Sequence, residues 1–135
     1  MADYIAQSRS NYFRVRSPAV FRRFCRRYRV EVITKDSRGH PKRRHYGFMV
    51  YGAIPSGYTD ANQEWVESDF LRELAGHLIR GEVAVVMEIG SEKMRYLNGY
   101  ACAVNWKGRQ IQVVLTDIYR RAKETFGTEP TVAEY

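Results

Sequence analysis

Along this chain the spacing of apolar residues switches between a period of two and a period near 3.6, and each switch marks an expected element boundary. Asn11 to Val15 (NYFRV) alternates and predicts a strand, after which Ser17 and Pro18 supply an N-cap and a first helical residue. Over residues 18–28, Val20, Phe21, Phe24, Cys25 and Tyr28 recur at helical spacing, which leaves Arg22, Arg23, Arg26 and Arg27 on the opposite arc. Arg29 to Thr34 (RVEVIT) alternates again, DSRGHPKRR provides turn residues, and HYGFMVYG resumes strand character. Together they predict a hairpin with a basic tip.

Ala53 to Gln63 reads as a loop, and Ser68 as the cap of a second helix with a stripe of Phe70, Leu71, Leu74, Ala75, Leu78 and Ile79, stopped by Gly81. Glu82 to Ile89 (EVAVVMEI) is apolar almost throughout, the pattern of a central strand covered on both faces. Met94 to Asn105 sets Tyr96, Asn98, Tyr100, Cys102 and Val104 on one side against Leu97, Gly99, Ala101 and Ala103 on the other. The small side leaves room for a helix to approach closely. Trp106 to Arg109 turns into a strand over 110–115, and Thr116 caps a last helix carrying Ile118, Tyr119, Ala122 and Phe126, closed by Gly127. The expected order is β-α-β-β-α-β-β-β-α: a single α+β domain with a ferredoxin-like βαββαβ core, an added hairpin and a C-terminal helix. That domain is expected over residues 10–127, between a flexible N-terminus (1–9) and a mobile tail (128–135).

Composition supports one folded domain. The chain has 135 residues, is 44% apolar and includes 10 Tyr, 6 Phe and 2 Trp, more apolar surface than disordered chains carry. Cys25 and Cys102 lie far apart in unlike surroundings, so neither a disulfide framework nor a metal cluster is expected, and a reduced cytoplasmic compartment fits them best. The first ten residues, MADYIAQSRS, contain no apolar signal region, and no run reaches the roughly 18 apolar residues of a membrane span.

Charge then divides the chain. Residues 1–45 hold 13 Lys/Arg against 3 Asp/Glu, whereas residues 46–135 hold 9 against 12, within an overall balance of +7. The basic part combines Arg22, Arg23, Arg26, Arg27 and Arg29 with Lys35, Arg38, Lys42, Arg43 and Arg44. It is the electrostatic footprint expected for nucleic acid or for an acidic groove of a nucleoprotein complex. Guanidiniums one turn apart on a helix can bracket successive phosphates, while the plainer reading is a solvated face.

Few motifs compete with that face. Arg43 to Tyr51 (RRHYGFMVY) partly matches the RNA-recognition-motif strand, with Arg44, Tyr46, Gly47, Phe48 and Tyr51 in place, His45 replacing the glycine and Met49 the valine. Tyr46 and Phe48 are therefore candidate base-stacking residues, or else one face of an ordinary core strand. His40, His45 and His77 lack the spacing of a metal site, and neither metal nor cofactor is expected. A scattered enzyme site would centre on Glu88 and Glu92 with Arg95 and Tyr96, against the commoner role of such carboxylates in ion pairs. Nucleotide-cradling and nucleophile-elbow glycine motifs do not occur, and the expectation is a non-enzymatic binding protein. A monomer is expected, or a homodimer formed through a sheet edge or a tyrosine-rich face.

Two stretches resemble a group of small uncharacterised proteins of plasmids, phages and other bacterial mobile elements. One is Ser10 to Val15 (SNYFRV) with Pro18 and Phe21; the other runs from Gly81-Glu82-Val83-Ala84-Val85 through Glu88, Gly90, Glu92-Lys93, Arg95-Tyr96 and Gly99-Tyr100-Ala101 to Ala103-Val104-Asn105. Ile118-Tyr119 extends the likeness over most of the chain. The resemblance implies a mobile-element accessory protein, for which inhibition of a host defence complex, anti-restriction or anti-CRISPR, is one expected role. Members of that group are more acidic in the first helix and hairpin, so the arginine runs distinguish this chain.

Overall fold

A computed structural model describes residues 4–37, 40–92 and 96–133, with the side chains of residues 37–43 outside that description. Pro18–Tyr28 forms helix α1 as the apolar spacing predicts. The Ser17 hydroxyl accepts a hydrogen bond from the Val20 N–H, and Arg29 ends the helix in the left-handed conformation (φ 58°). Its buried residues are Phe21, Phe24, Cys25 and Tyr28. Helix α2 spans Phe70–His77 and is capped by Asp69 rather than Ser68, with the Asp69 carboxylate accepting from the Arg72 N–H; it stops at Leu78, short of Gly81. The Ser68 hydroxyl is taken instead by the Tyr28 hydroxyl. Helix α3 (Asp117–Phe126) ends at Gly127, but Thr116 makes no side-chain cap.

The principal sheet contains β1 (Tyr4–Ser10), β2 (Glu31–Ser37), β3 (His40–Val50), β6 (Val83–Glu92), β7 (Tyr96–Asn105) and β8 (Gln110–Val114), in the spatial order β2-β3-β1-β6-β7-β8. Every neighbouring pair is antiparallel. A separate small hairpin pairs β4 (Gly57–Thr59), inside the segment expected as loop, with β5 (Trp65–Glu67), which follows that segment. The fold is thus α+β, with three helices and antiparallel strand pairing among the described residues.

Two expectations are corrected. Residues 4–10 belong to the domain: β1 lies inside the sheet, hydrogen-bonded to β3 and β6, whereas Asn11 to Val15 forms no extended strand and is held by the isolated bridges Phe13–Tyr46 and Val15–Leu78 and by hydrogen bonds such as those between Asn11 and Val85. The reason lies in its inward positions, Ala6, Ser8 and Ser10, which are buried yet small or polar. The Ser8 hydroxyl donates to the Gly52 carbonyl, and the Ser10 hydroxyl donates to the Asn11 carbonyl while accepting from the Phe48 N–H. The second correction concerns β6, which is central as expected but covered on one face only: Ala84, Val86 and Glu88 are buried, while Val83, Met87 and Ile89 are exposed.

Helices α1 and α2 sit on the inner face of the sheet. There Phe13, Phe21, Phe24, Phe48, Phe70, Leu74, Leu78, Val86 and Val104 form the core, with aromatic rings meeting edge-on or stacked. Glycine is required at Gly47, because a Cβ there would lie 2.6 Å from the Asn11 carbonyl oxygen. Among the described residues no helix is long and apolar enough to cross a membrane.

A candidate anion-binding face

Because α1 turns its apolar stripe to the sheet, all four of its arginines are directed outward and exposed. Their surroundings differ. Arg27 is built into the protein: it pairs with the Glu73 carboxylate of α2, and its guanidinium lies 4.9 Å from the Tyr58 ring centroid and 5.4 Å from that of Tyr28. Arg22 lies over the Tyr46 ring at 5.6 Å. Among the described residues, Arg23 and Arg26 have neither an ion pair nor an aromatic partner, and Arg29 adds a further exposed guanidinium at the helix end. The solvent-directed array is therefore Arg22, Arg23, Arg26 and Arg29, with Arg27 acting as a joint between α1, α2 and β4.

In the hairpin, Arg44 is paired within the protein. Arg44 stands opposite Asp36 in the β2–β3 ladder and donates to its carboxylate at 2.9 Å, a contact that raises the guanidinium pKa further and offsets its charge. Arg38 and the side chains of Lys42 and Arg43 fall outside the described residues. A second basic spot forms on the outer face, where Lys35 of the expected basic part is joined by Arg9, which the sequence did not single out: each lies 5.8 Å from the centroid of the half-buried Tyr12 ring. They are 26 residues apart in sequence and meet because β1, β3 and β2 are successive strands of the sheet, which no local pattern announces.

Tyr46 and Phe48 are corrected as stacking residues. Both point to the inner face and are buried, Tyr46 edge-on to Phe21 and Phe48 edge-on to Phe70, so α1 and α2 occupy the surface a base would need. Neither cysteine is poised for chemistry: burial pushes the Cys25 thiol up to about 12 and raises that of Cys102.

The carboxylates expected for an enzyme site do not converge. Glu88 and Glu92 share the inner face of β6 but stand four residues apart on an extended strand, roughly 13 Å by strand geometry, well beyond the separations of carboxylate pairs that share one reacting group. Glu88 is buried and satisfied by structural donors: the Ile54 N–H at 2.7 Å, the Tyr4 hydroxyl at 2.9 Å and the Asn98 amide at 3.3 Å. It anchors the loop after β3 to the sheet. Tyr96 is exposed, and Arg95 lies outside the described residues. Among the described residues no group of three His, Cys, Asp or Glu side chains could hold a metal ion.

Comparison with protein-family models, with curated proteins and with solved structures found no match to this chain.

Proposed function

We propose that the protein is a non-enzymatic binding protein that engages nucleic acid through the outward arginines of α1. The observation that carries this reading is that Arg23 and Arg26, one helical turn apart, are exposed without a described protein partner, with Arg22 and Arg29 beside them. Guanidiniums so spaced donate bidentately to phosphate oxygens, and contacts of this kind give affinity with little sequence choice. Arg9 and Lys35, beside Tyr12, would extend the contact to the sheet. A ferredoxin-like βαββαβ core is the corresponding reading of the fold, supported by the order β2-β3-β1-β6 with every adjacent pair antiparallel. The resemblance to mobile-element proteins supports an accessory role, in its specific form the inhibition of a defence complex whose groove normally holds DNA or RNA.

The test is binding to short single-stranded DNA, duplex DNA and RNA over about 50 to 200 mM salt, across which several phosphate contacts cost orders of magnitude in affinity. Steep salt dependence is the expected result. No binding at the low-salt end overturns the nucleic-acid reading and makes an acidic protein groove the alternative.

A further inference from the structure

Beyond the Arg9 and Lys35 spot, the face of the sheet opposite α1 and α2 is apolar and open. Ile5, Met87, Ile89, Ile111, Val113 and Leu115 project from it and are 56% to 70% exposed. Between the ridges of β6 and β8, the outward positions of β7 are small, Ala101 and Ala103, with Leu115 lying over Gly99 at one end. The β6–β7–β8 half of this face carries no charged side chain among the described residues, so it offers phosphate nothing to bind.

A second surface lacks a partner in the same way. Helix α3 is amphipathic, with Ile118, Ala122 and Phe126 at helical spacing, yet none of its residues is buried; Ile118 is 62% and Phe126 77% exposed. An isolated helix of this length is marginal in water without something against its apolar side. Meanwhile the continuous apolar run of β6 is the composition of a strand covered on both faces, and the single chain covers one.

We infer that the protein forms a two-fold homodimer in which α3 of each copy packs on the outer sheet face of the other. The chain supplies both halves of the contact, and exchange across a two-fold axis covers each surface twice without leaving an open end on which further copies could add. The six exposed outer-face side chains together with Ile118 and Phe126 of α3 provide much of the roughly 800 Å² per partner that stable interfaces bury. The uncharged face also disfavours a highly charged partner, whereas the α3 stripe matches it in polarity.

Light scattering on the nucleic-acid-free protein across a concentration series tests the proposal. The expected mass is twice 15.8 kDa, falling toward one chain on dilution. Two pairs of charge substitutions, Ile111→Glu with Val113→Glu on the sheet and Ile118→Glu with Phe126→Glu on the helix, should each yield monomer with unchanged circular dichroism, since all four side chains are already exposed. A mass of one chain throughout overturns the proposal, and so does a dimer that survives either pair. Nucleic-acid affinity is not used in this readout, so it stands or falls apart from the arginine array.

Discussion

The guanidinium of Arg27 lies 4.9 Å from the centroid of the Tyr58 ring while pairing with the Glu73 carboxylate. One of four similar arginines on α1 is therefore a structural element, holding the first helix to the second and to the small hairpin. Arg27→Ala should lower stability by about 1 kcal/mol, the combined scale of a partly exposed cation–π contact and ion pair. Arg23→Ala should change it by less than about 0.5 kcal/mol. Urea denaturation of the two variants separates the roles.

Charge reversal at Arg23 and Arg26 addresses binding without disturbing that joint. Arg23→Glu with Arg26→Glu should weaken nucleic-acid binding across sequences and flatten the salt dependence by about two phosphate contacts, with the urea midpoint little changed. Undiminished affinity in the folded double variant would remove α1 as the interface.

Phe48 is wholly buried, so Phe48→Ala should cost about 3–5 kcal/mol. Tyr46→Ala should likewise lower stability and, once corrected for the folded fraction, leave affinity for single-stranded DNA unaltered. Loss of intrinsic affinity with stability retained would restore the stacking role.

Gly47 belongs to the same strand. Gly47→Ala should destabilise the fold because the added methyl meets the Asn11 carbonyl oxygen at 2.6 Å and the Ser10 hydroxyl at 2.8 Å, and backbone cannot yield as a flexible side chain can. A thermal midpoint equal to that of the unsubstituted protein would contradict this account.

His77 packs against Phe21 and Phe24, and burial, aided by Arg27 and opposed by Glu73, holds its pKa below the ordinary 6.5. The fold therefore favours neutral imidazole. No penalty exists above pH 6.5; below it the unfolded chain takes the proton first, and stability falls until the folded pKa is passed. The thermal midpoint should drop on acidification through this range, and His77→Gln should flatten that part of the profile.

Much of the architecture was legible because its signals are local. Ser17-Pro18 and the spacing of Phe21, Phe24 and Tyr28 place α1 and orient its arginines without tertiary information. β1 was hidden because its buried residues are Ala6, Ser8 and Ser10, whose inward positions are satisfied by hydrogen bonds rather than by apolar bulk. β4 was hidden for another reason: Gly57 is required by the Val66 carbonyl, which would lie 2.2 Å from a Cβ, and a glycine in a polar stretch reads as loop. At the candidate site the arginines themselves were readable, but their neutralising partners were not. Glu73 is 46 residues from Arg27, and only the packing of α2 against α1 brings them together.

The position of β1 also governs the sequence of events in folding. Tyr4 pairs opposite Glu92, so the earliest described strand gains its second neighbour only after most of the chain has been synthesised. Its first neighbour, β3, meets it over the short register of Ser8–Val50 and Arg9–Met49. The α1–β2–β3 and β6–β7–β8 segments can each assemble from near-neighbour pairings, but joining them through β1 and β6 closes a loop that runs at its shortest from Ser10 to Val86, an entropic cost that slows folding.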